Sequence, residues 1–473
     1  MQHRTELNPW GETTTKAATK TRCRVIASVA HQLASATTEF TRLCASDQRC
    51  DPVETITSEL LPLCAALRWI GRSGPRVLSP RRVGFAGRPM WLAGVQSHVE
   101  RQPHGLVLVL GTWNYPLLLP GVQMAQALAA GNRVLVKPAA GCELATARLV
   151  RAFYDAGVPP ESLNPINSST ESATAAMDAG VDLIVLTGSA ETGRRVLERA
   201  SQSLTPVIAE LSGCDAVIVL PDADIERAAQ AIVFGLTFNS GATCIAPRRL
   251  IADEPTADRL LQAIRSRLAT SPSVVVHSSA RMAVADVIRR SLSEGCVDAL
   301  GNVDVDALAT SGRMLPAVLD QVVPDHPVAT ADIFAPVTSI MRVEQIVDAV
   351  GIVNDCRYRL AASIFGNRVA AAEMAKRLSV GTVTLNDLIV PTADPRLPFG
   401  GRGDSGFGVT RGVEGLLSMT TPKVVSERTG SWAPHLRART ENDERILSAM
   451  VGWLHGTASL RLASLKRMVR RDE

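Results

Sequence analysis

The chain has few aromatic residues and little net charge. Aromatic side chains make up 4% of its 473 residues, and the formal net charge at pH 7 is +4 with histidine neutral. So small a charge on so long a chain gives no argument for a nucleic-acid partner, and we expect none. The chain also lacks a stretch of about 18 apolar residues, so no segment is expected to span a membrane.

Paired cysteines and a leader segment are missing as well. The nine cysteines are scattered, odd in number and without metal-type spacing, which indicates reduced thiols in a cytosolic compartment and no metal centre. Residues 1–21 are polar and lack the apolar core of a signal peptide. We therefore expect a cytoplasmic protein, and the length suggests two or three domains.

What the chain does contain is an alternation of buried strands and helices. Continuous apolar runs lie at 105–111 and 183–186, a further strand pattern lies at 133–138, and helical segments lie at 117–130, 143–156 and 191–199. Apolar runs of strand length predict strands buried on both faces. The β-α-β spacing predicts a parallel, doubly wound α/β sheet. The alternation resumes after residue 244, so a second α/β domain is predicted from 210 to the 390s.

Other segments frame these two domains. Residues 1–73 have helical periodicity, which we expect to end at Ser73-Gly74-Pro75. Residues 83–103 are rich in glycine and proline and predict a hairpin arm. Gly401–Gly406 matches G-x-G-x-x-G, but no strand precedes it and no β-α-β unit follows. We interpret it as a flexible glycine loop.

One cysteine stands among small residues, in the segment from Phe238 to Pro247. Flanking glycine and alanine leave room for a molecule to approach the sulfur of Cys244. Taken alone, such a residue is more often a buried structural cysteine than a nucleophile. Glu210, after another apolar strand pattern, is a candidate general base for the same site.

Two further segments have the pattern of a phosphate site. Thr187-Gly188-Ser189, with Gly193 four residues on, joins a buried strand to a helix N-terminus, where exposed N–H groups favour anions. A simple turn is an equally good interpretation. Lys137 ends a strand, where ligands gather in open α/β sheets, although an ordinary surface lysine would look the same.

Six motifs in order resemble the aldehyde dehydrogenase superfamily, over residues 20 to 425. They are Gly111-Thr112-Trp113-Asn114-Tyr115-Pro116, Lys137-Pro138-Ala139, Leu186-Thr187-Gly188-Ser189, Glu210-Leu211, Asn239 through Pro247, and Ile333-Phe334-Ala335-Pro336. Asn386-Asp387-Leu388-Ile389-Val390, followed by Leu397-Pro398-Phe399-Gly400-Gly401, is similar to the class 3 branch. The resemblance implies two Rossmann-like α/β domains with a β-hairpin and C-terminal oligomerisation arm. The cofactor-binding domain would span 1–209 (with the bridging hairpin at about 83–104), the catalytic domain 210–394, the oligomerisation segment 395–425 and a tail 426–473.

The resemblance also implies an activity. Cys244 would attack the aldehyde carbon, Asn114 and the Cys244 N–H would hold the oxyanion, and Glu210 would activate water. The residues expected to bind the cofactor, NAD or NADP, are Lys137, Thr187, Gly188, Ser189, Gly193, Trp113, Asp332 and Phe334. The expected reaction is NAD(P)-dependent oxidation of an apolar or long-chain aldehyde to a carboxylic acid through a thioester, by a homodimer. The alternatives are a CoA-acylating dehydrogenase, against which Glu210 argues, and a catalytically idle binding or scaffold protein.

Several positions depart from the family pattern. Ala140 stands where a glutamate often follows the lysine, Asp332 replaces a glutamate, and Ala335 replaces a glycine. Ser212-Gly213-Cys214 replaces Gly-Gly-Lys, and Ala242 replaces a glutamine. Because Ala140 removes a carboxylate that would repel a 2′-phosphate, we expect NADP to be accepted at least as well as NAD.

The tail has apolar residues at helical spacing. Ile446, Leu447, Met450, Trp453 and Leu454 precede a second segment, 458–471, that mixes leucines with basic residues. A basic amphipathic helix favours contact with an anionic membrane surface. A solvated or self-packed terminal helix is at least as good an interpretation.

Overall fold

The computed structural model describes residue 10 and residues 15–469, apart from the side chains of residues 434 and 469. These residues form two compact units. The first extends up to Pro80 and from Glu100 to Lys423, and the second comprises Arg81–Val99 and the chain from Val424 onward.

Eighteen α-helices lie in the described residues. They are α1 Lys16–Ser35, α2 Thr37–Leu43, α3 Pro52–Thr55, α4 Leu61–Val77, α5 Leu118–Ala130, α6 Glu143–Asp155, α7 Thr170–Asp178, α8 Ala190–Ser201, α9 Ile225–Thr237, α10 Glu254–Leu268, α11 Ser278–Ser293, α12 Val305–Ser311, α13 Pro327–Thr330, α14 Ala349–Asp355, α15 Arg368–Ala375, α16 Gly412–Ser418, α17 Asp443–His455 and α18 Ala458–Val469.

Twenty strands also lie in the described residues. They are β1 Arg81–Val83, β2 Val95–Pro103, β3 Leu106–Leu110, β4 Arg133–Lys137, β5 Leu163–Pro165, β6 Leu183–Gly188, β7 Val207–Leu211, β8 Asp215–Val219, β9 Pro247–Asp253, β10 Val274–Val275, β11 Val297–Asp298, β12 Arg313–Met314, β13 Ala317–Asp320, β14 Val337–Val343, β15 Tyr358–Arg359, β16 Ala361–Phe365, β17 Thr382–Leu385, β18 Arg402–Gly403, β19 Gly406–Phe407 and β20 Thr420–Arg428.

A six-stranded sheet forms the first half of the larger unit. Its order is β19-β7-β6-β3-β4-β5, and all pairs are parallel except the edge pair β19–β7. The central strands are buried on both faces, as their continuous apolar runs predicted. Chain order reverses direction between β3 and β6, so this sheet has a topological switch point there. The doubly wound α/β fold expected from the sequence is confirmed.

A seven-stranded sheet forms the other half of this unit. Its order is β11-β13-β14-β9-β8-β16-β17, again parallel except for one edge pair, β11–β13. Helices α9 and α10 pack together over it with Val217, Leu250 and Ile340 in one apolar cluster. The second α/β region predicted after residue 244 is therefore present.

The N-terminal helices cover the first sheet. Helices α1 and α4 pack against each other and against α5, and their buried residues share one core with β3 and β4. The expected end at Ser73-Gly74-Pro75 is wrong, because α4 continues to Val77 with Pro75 inside it. Gly74 is buried against Cys23 of α1, where a Cβ would lie 2.8 Å from the sulfur. Tertiary packing therefore overrides the local breaker signal.

One other sequence expectation needs correction. The segment Gly401–Gly406 is not a flexible loop, because it contains β18 and the start of β19. Gly406 pairs with Glu210 and has φ of 97°, and a Cβ there would lie 2.0 Å from the Ala209 carbonyl oxygen. Glycine is required at that position by the close approach of two backbones.

The second unit contains a small sheet and a helical hairpin. Strands β1, β2 and β20 form the sheet, with β1 antiparallel to β2 as the hairpin prediction required. Helices α17 and α18 pack together through Gly452, where a Cβ would lie 2.2 Å from the Ser464 Oγ. Of the basic tail residues, Arg470 and Arg471 lie outside the described residues. Within the described part of the chain, no helix is long and apolar enough to cross a membrane.

Candidate active site

The carboxyl ends of four neighbouring strands open into one cavity. Strands β3, β4, β6 and β7 run parallel, so the loops that follow them lie along the same edge of the sheet. The switch point between β3 and β6 is the place where open α/β sheets bind ligands. The cavity has a volume of about 1130 Å³, which is roomy for a drug-sized ligand and leaves space for a dinucleotide together with a second small molecule.

Ten of the eleven predicted site residues line this cavity. They are Trp113, Asn114, Lys137, Thr187, Gly188, Ser189, Glu210, Cys244, Asp332 and Phe334. Gly193 does not line it. A Cβ on Gly193 would lie 2.8 Å from Leu211 Cδ1, so this glycine allows α8 to pack closely on β7.

The cysteine is presented by a tight turn after α9. Asp224 caps the start of α9 by accepting from the Arg227 N–H. After the helix, Asn239 and Ser240 have φ of 51° and 53°, a left-handed conformation unusual for residues with side chains. Gly241 follows with φ of 73° and lies against the backbone of Ala335, 2.5 Å from where its Cβ would be. This strained turn leaves Cys244 partly buried at the cavity wall.

The side chain of Asn114 is hydrogen-bonded to the end of this turn. Its Nδ2 donates to the Ala242 carbonyl at 2.9 Å, and its Oδ1 accepts from Thr112 Oγ1 at 2.7 Å. Because an amide nitrogen carries two N–H groups, one remains for a ligand beside Cys244. Tyr115 adds a second buried link, a 2.6 Å hydrogen bond to Thr243.

A buried ion pair fixes both segments from the N-terminal region. The guanidinium of Arg49 bonds Glu59, the Asn114 carbonyl and, at 3.1 Å, Asn239 Oδ1. Glu59 also accepts from the Leu117 and Leu118 N–H groups at 2.6 and 2.9 Å. One arginine and one carboxylate therefore connect the Asn114 loop, the start of α5 and the turn before Cys244.

Glu210 ends β7 inside the cavity and is almost fully buried. Its carboxylate accepts from Thr410 Oγ1 and, at 3.4 Å, from Gln123 Nε2. Gln123 also donates to Thr187 Oγ1 at 2.9 Å. Burial raises the pKa of Glu210, although Arg411 and the hydrogen-bond donors oppose the change. A carboxyl with a raised pKa is suited to accept a proton near neutral pH.

The thiol of Cys244 is protonated in this environment. Its pKa is raised to about 12, first by burial and then by the nearby carboxylates Asp215 and Glu210, against the lowering effect of Arg411. Burial also raises the pKa of Asp215 well above its ordinary value. Because only a thiolate is strongly nucleophilic, the chain needs positive charge or a base near the sulfur.

The other end of the cavity is more polar and open. Lys137 is half buried and donates to the Pro138 carbonyl at 3.1 Å, and burial lowers its pKa while the charge of Glu143 opposes this. Ser189 caps α8 by accepting from the Thr192 N–H at 3.2 Å. The first-turn N–H groups of such a helix have no partner within it and favour phosphate.

The buried carboxylate of Asp332 is only half satisfied. Its Oδ2 accepts from Ser212 Oγ at 2.5 Å, whereas the buried Oδ1 has no partner. An unpaired acceptor beside the cavity suits a sugar hydroxyl. The aromatic rings of Trp113 and Phe334 lie 5.8 Å apart nearby. These donors and acceptors fit a dinucleotide.

Sequence reasoning missed part of this site. It did not identify Arg49, Glu59, Gln123, Thr410 or Arg411. Arg49 and Glu59 lie in a region that looked merely amphipathic, and no local signal connects them to Asn239. Thr410 and Arg411 follow the Gly401–Gly406 segment, and only the antiparallel pairing of Gly406 with Glu210 brings them to the carboxylate.

The fold and this site define a class. A doubly wound sheet whose switch point opens beside a cysteine and a buried carboxylate belongs to the nicotinamide-dependent oxidoreductases. The model of the aldehyde dehydrogenase family matches residues 7–425. The chain therefore belongs to the aldehyde dehydrogenase family, as the motif resemblance implied.

Individual relatives agree with this assignment. The chain is 30% identical over 416 residues to 4,4'-diapolycopene aldehyde oxidase from a Methylomonas species, covering 84% of this chain and 77% of that protein. It is 31% identical over 323 residues to aldehyde dehydrogenase family 3 member A2 of Rattus norvegicus, covering 67% and 66%. The crystal structure of a Mycobacterium tuberculosis aldehyde dehydrogenase complexed with NAD⁺ superposes with a TM-score of 0.79 at 27% identity, covering 89% of this chain and 87% of the other.

Proposed function

We propose that the chain oxidises an apolar aldehyde to a carboxylic acid through a thioester on Cys244. The observation that carries this proposal is that Cys244, Asn114 and Glu210 line the same cavity. The Cys244 sulfur attacks the carbonyl carbon, forming a thiohemiacetal. The free N–H of Asn114 and the Cys244 backbone N–H hold the oxygen that becomes negative, an arrangement worth about 3 kcal/mol per donor.

A bound nicotinamide cofactor would supply the acceptor for the hydride that leaves the reacting carbon. Lys137, the start of α8 and Asp332 would hold it, with Trp113 and Phe334 at the ring end of the cavity. Lys137 and the start of α8 lie in the expected cofactor-binding part at 1–209, whereas Asp332 and Phe334 lie in the expected catalytic part at 210–394, so both parts would contact the cofactor. Glu210 then accepts a proton from water, and the hydroxyl oxygen attacks the thioester carbon while the thiolate leaves.

An apolar substrate is supported by the apolar side chains that line the cavity. Among them are Leu118, Leu119, Phe238, Ile245, Ile389 and Val390. Such a lining favours carbon chains over charged groups. The name of the Methylomonas relative, an oxidase of a carotenoid aldehyde, agrees with a long apolar substrate.

The decisive experiment measures reduced cofactor by absorbance against a panel of aldehydes, with and without CoA. Turnover without CoA, faster for long alkyl or polyene aldehydes than for short polar ones, is the expected result. Dependence on CoA would establish the acylating alternative. The absence of reduction with every aldehyde would favour the idle binding protein.

We also infer a homodimer formed through the second unit. The connection between β1 and β2 carries the exposed apolar side chains of Phe85, Met90 and Trp91, and patches of this kind mark interaction surfaces. Light scattering on the purified chain should give twice the monomer mass. If the parent chain has the mass of a monomer, and this mass does not change when Phe85 and Trp91 are replaced by serine, the dimer is contradicted.

The helical hairpin is the candidate for membrane contact. Ile446, Leu447 and Val451 on α17, with Leu460, Leu462 and Leu465 on α18, are exposed. The basic residues Arg461, Lys466 and Arg467 lie on α18 as well, a combination that suits an anionic surface. Flotation with anionic vesicles should be lost when residues after 435 are deleted, and equal flotation of both chains would contradict it. The nine free thiols support a cytoplasmic location for this contact.

A further inference from the structure

A buried arginine that the proposed reaction does not use lies in the active cavity. Arg411 is 8% exposed and lines the same cavity as Cys244 and Glu210. Its φ of 58° is a backbone conformation that residues with side chains rarely adopt. The conformation is maintained by its surroundings and aims the guanidinium inward.

The guanidinium has little to satisfy it within the protein. Nη1 donates to the Thr392 carbonyl at 2.6 Å, Nε is buried without a partner, and the group lies 4.3 Å from the centre of the Phe399 ring. No carboxylate of the described residues forms a salt bridge with it. Because a buried cation without an anion is costly, its position needs a reason.

A second buried arginine near the cysteine provides the contrast. Arg248 donates to four backbone carbonyls, those of Gly241, Thr243, Ala335 and Val337. These bonds tie down the turn before Cys244, and Arg248 does not line the cavity. Arg248 is therefore structural, whereas Arg411 faces the space where the chemistry occurs.

The charges around Cys244 are mostly unfavourable to an anion. The titratable groups that act on the sulfur are Glu210 at the end of β7, Asp215 at the start of β8, Tyr115 after β3, Arg248 in β9 and Arg411 before α16. Of the two cations, only Arg411 has a guanidinium in the cavity. Its neighbour Thr410 donates a hydrogen bond to Glu210. Thr410 therefore contacts the proposed base, and Arg411 lines the cavity that Cys244 also lines.

We propose that Arg411 is a positioning residue that supplies the positive charge needed to form the Cys244 thiolate beside Glu210. It does not touch the reacting atoms and acts through the sulfur and the carboxylate. This inference deepens the proposed function, since it assigns an electrostatic role at the same site.

The test measures alkylation of Cys244 without cofactor or aldehyde. The thiolate displaces iodide from iodoacetamide, forming a carbon–sulfur bond, and mass spectrometry of the Cys244 peptide separates this reaction from that of the other cysteines. Arg411→Gln keeps a donor for the Thr392 carbonyl but removes the charge. Its rate at pH 8 should fall at least about tenfold, because a nearby opposite charge changes a pKa by about one to three units.

A second reagent separates charge from structure. In Arg411→Gln, the rate of Cys244 alkylation should fall more for anionic iodoacetate than for neutral iodoacetamide. Arg411→Met should show the same difference between the two reagents. Arg411→Lys should restore both rates to within about threefold, since it keeps the charge. Arg357→Met is the matched control, because Arg357 also lines the cavity but is already paired with Asp404.

The outcomes are distinct. Equal slowing of both reagents without rescue by lysine, or unchanged rates in Arg411→Gln, would overturn the proposal. Thermal unfolding curves of all variants show whether they fold. Because alkylation needs no turnover, a dehydrogenase assay that fails while these rates follow the charge would reject the proposed function alone.

Discussion

The two ends of the cavity are built differently. Around Cys244 and Asn114, polar groups are buried and hydrogen-bonded to one another, through Arg49, Glu59 and Asn239. Around Lys137 and Ser189, the contacts are local and partly exposed. Covalent chemistry needs atoms held to within a fraction of an ångström, whereas a cofactor that enters and leaves needs an open set of donors. Substitutions should therefore abolish activity at the first end and only tune it at the second.

The largest effect is expected at the nucleophile. Cys244→Ala should lower kcat by at least about 10³-fold, as removal of a nucleophile does in other covalent enzymes, while cofactor binding measured by fluorescence stays unchanged. The loss follows because no other group can form the thiohemiacetal. Cys142→Ala, which removes a second cysteine with a partly buried side chain, is the control. Turnover of Cys244→Ala within tenfold of the parent would reject the assignment.

The base should show the next largest effect, together with a pH signature. Glu210→Gln should lower kcat by about 10²–10⁴-fold. An ordinary glutamate has a pKa of about 4.3. Because burial raises the pKa of Glu210, its carboxyl stays protonated to a higher pH than that of an ordinary glutamate. Parent activity should therefore fall as pH drops through that raised pKa. Glu210→Gln should lack this fall in activity at low pH. If the fall is unchanged in the variant, another group is responsible for it.

The buried ion pair tests the packing of the chemical end. Glu59→Gln leaves Arg49 as an unpaired buried charge, which should lower the free energy of unfolding by about 3–5 kcal/mol. Urea denaturation measures the change. Glu373→Gln breaks an exposed pair with Lys376 and should cost less than about 1 kcal/mol. Similar small losses in both variants would show that the Arg49 network does not stabilise the site.

The sequence predicted the residues that line the cavity better than the buried groups that hold them in place. Cys244 and Glu210 were identified because each lies in a short motif next to a strand or helix. Arg49 was missed because it reaches Asn239 across 190 residues of chain, and long-range polar pairing leaves no periodic signal. Pro75 misled for a related reason, since the packing of Gly74 on Cys23 outweighs a local helix breaker.

The cofactor end should respond least. Ala140→Glu restores a carboxylate that would accept from ribose hydroxyls and repel a 2′-phosphate. The ratio of kcat/KM for NAD and NADP should change about tenfold toward NAD, which corresponds to about 1.4 kcal/mol. Ala140→Gln, similar in size but uncharged, should change it less. If the parent already prefers NAD strongly and Ala140→Glu has the same preference, the side chain at residue 140 does not determine which cofactor is used.

The most direct test of the covalent route is the mass of the Cys244 peptide in Glu210→Gln. This variant should form one equivalent of reduced cofactor rapidly and then stop, because hydrolysis of the thioester needs the base. Quenched in acid at that point, the peptide should carry the mass of the acyl group derived from the aldehyde. Reduced cofactor without an acyl group on Cys244 would contradict a thioester mechanism at this residue.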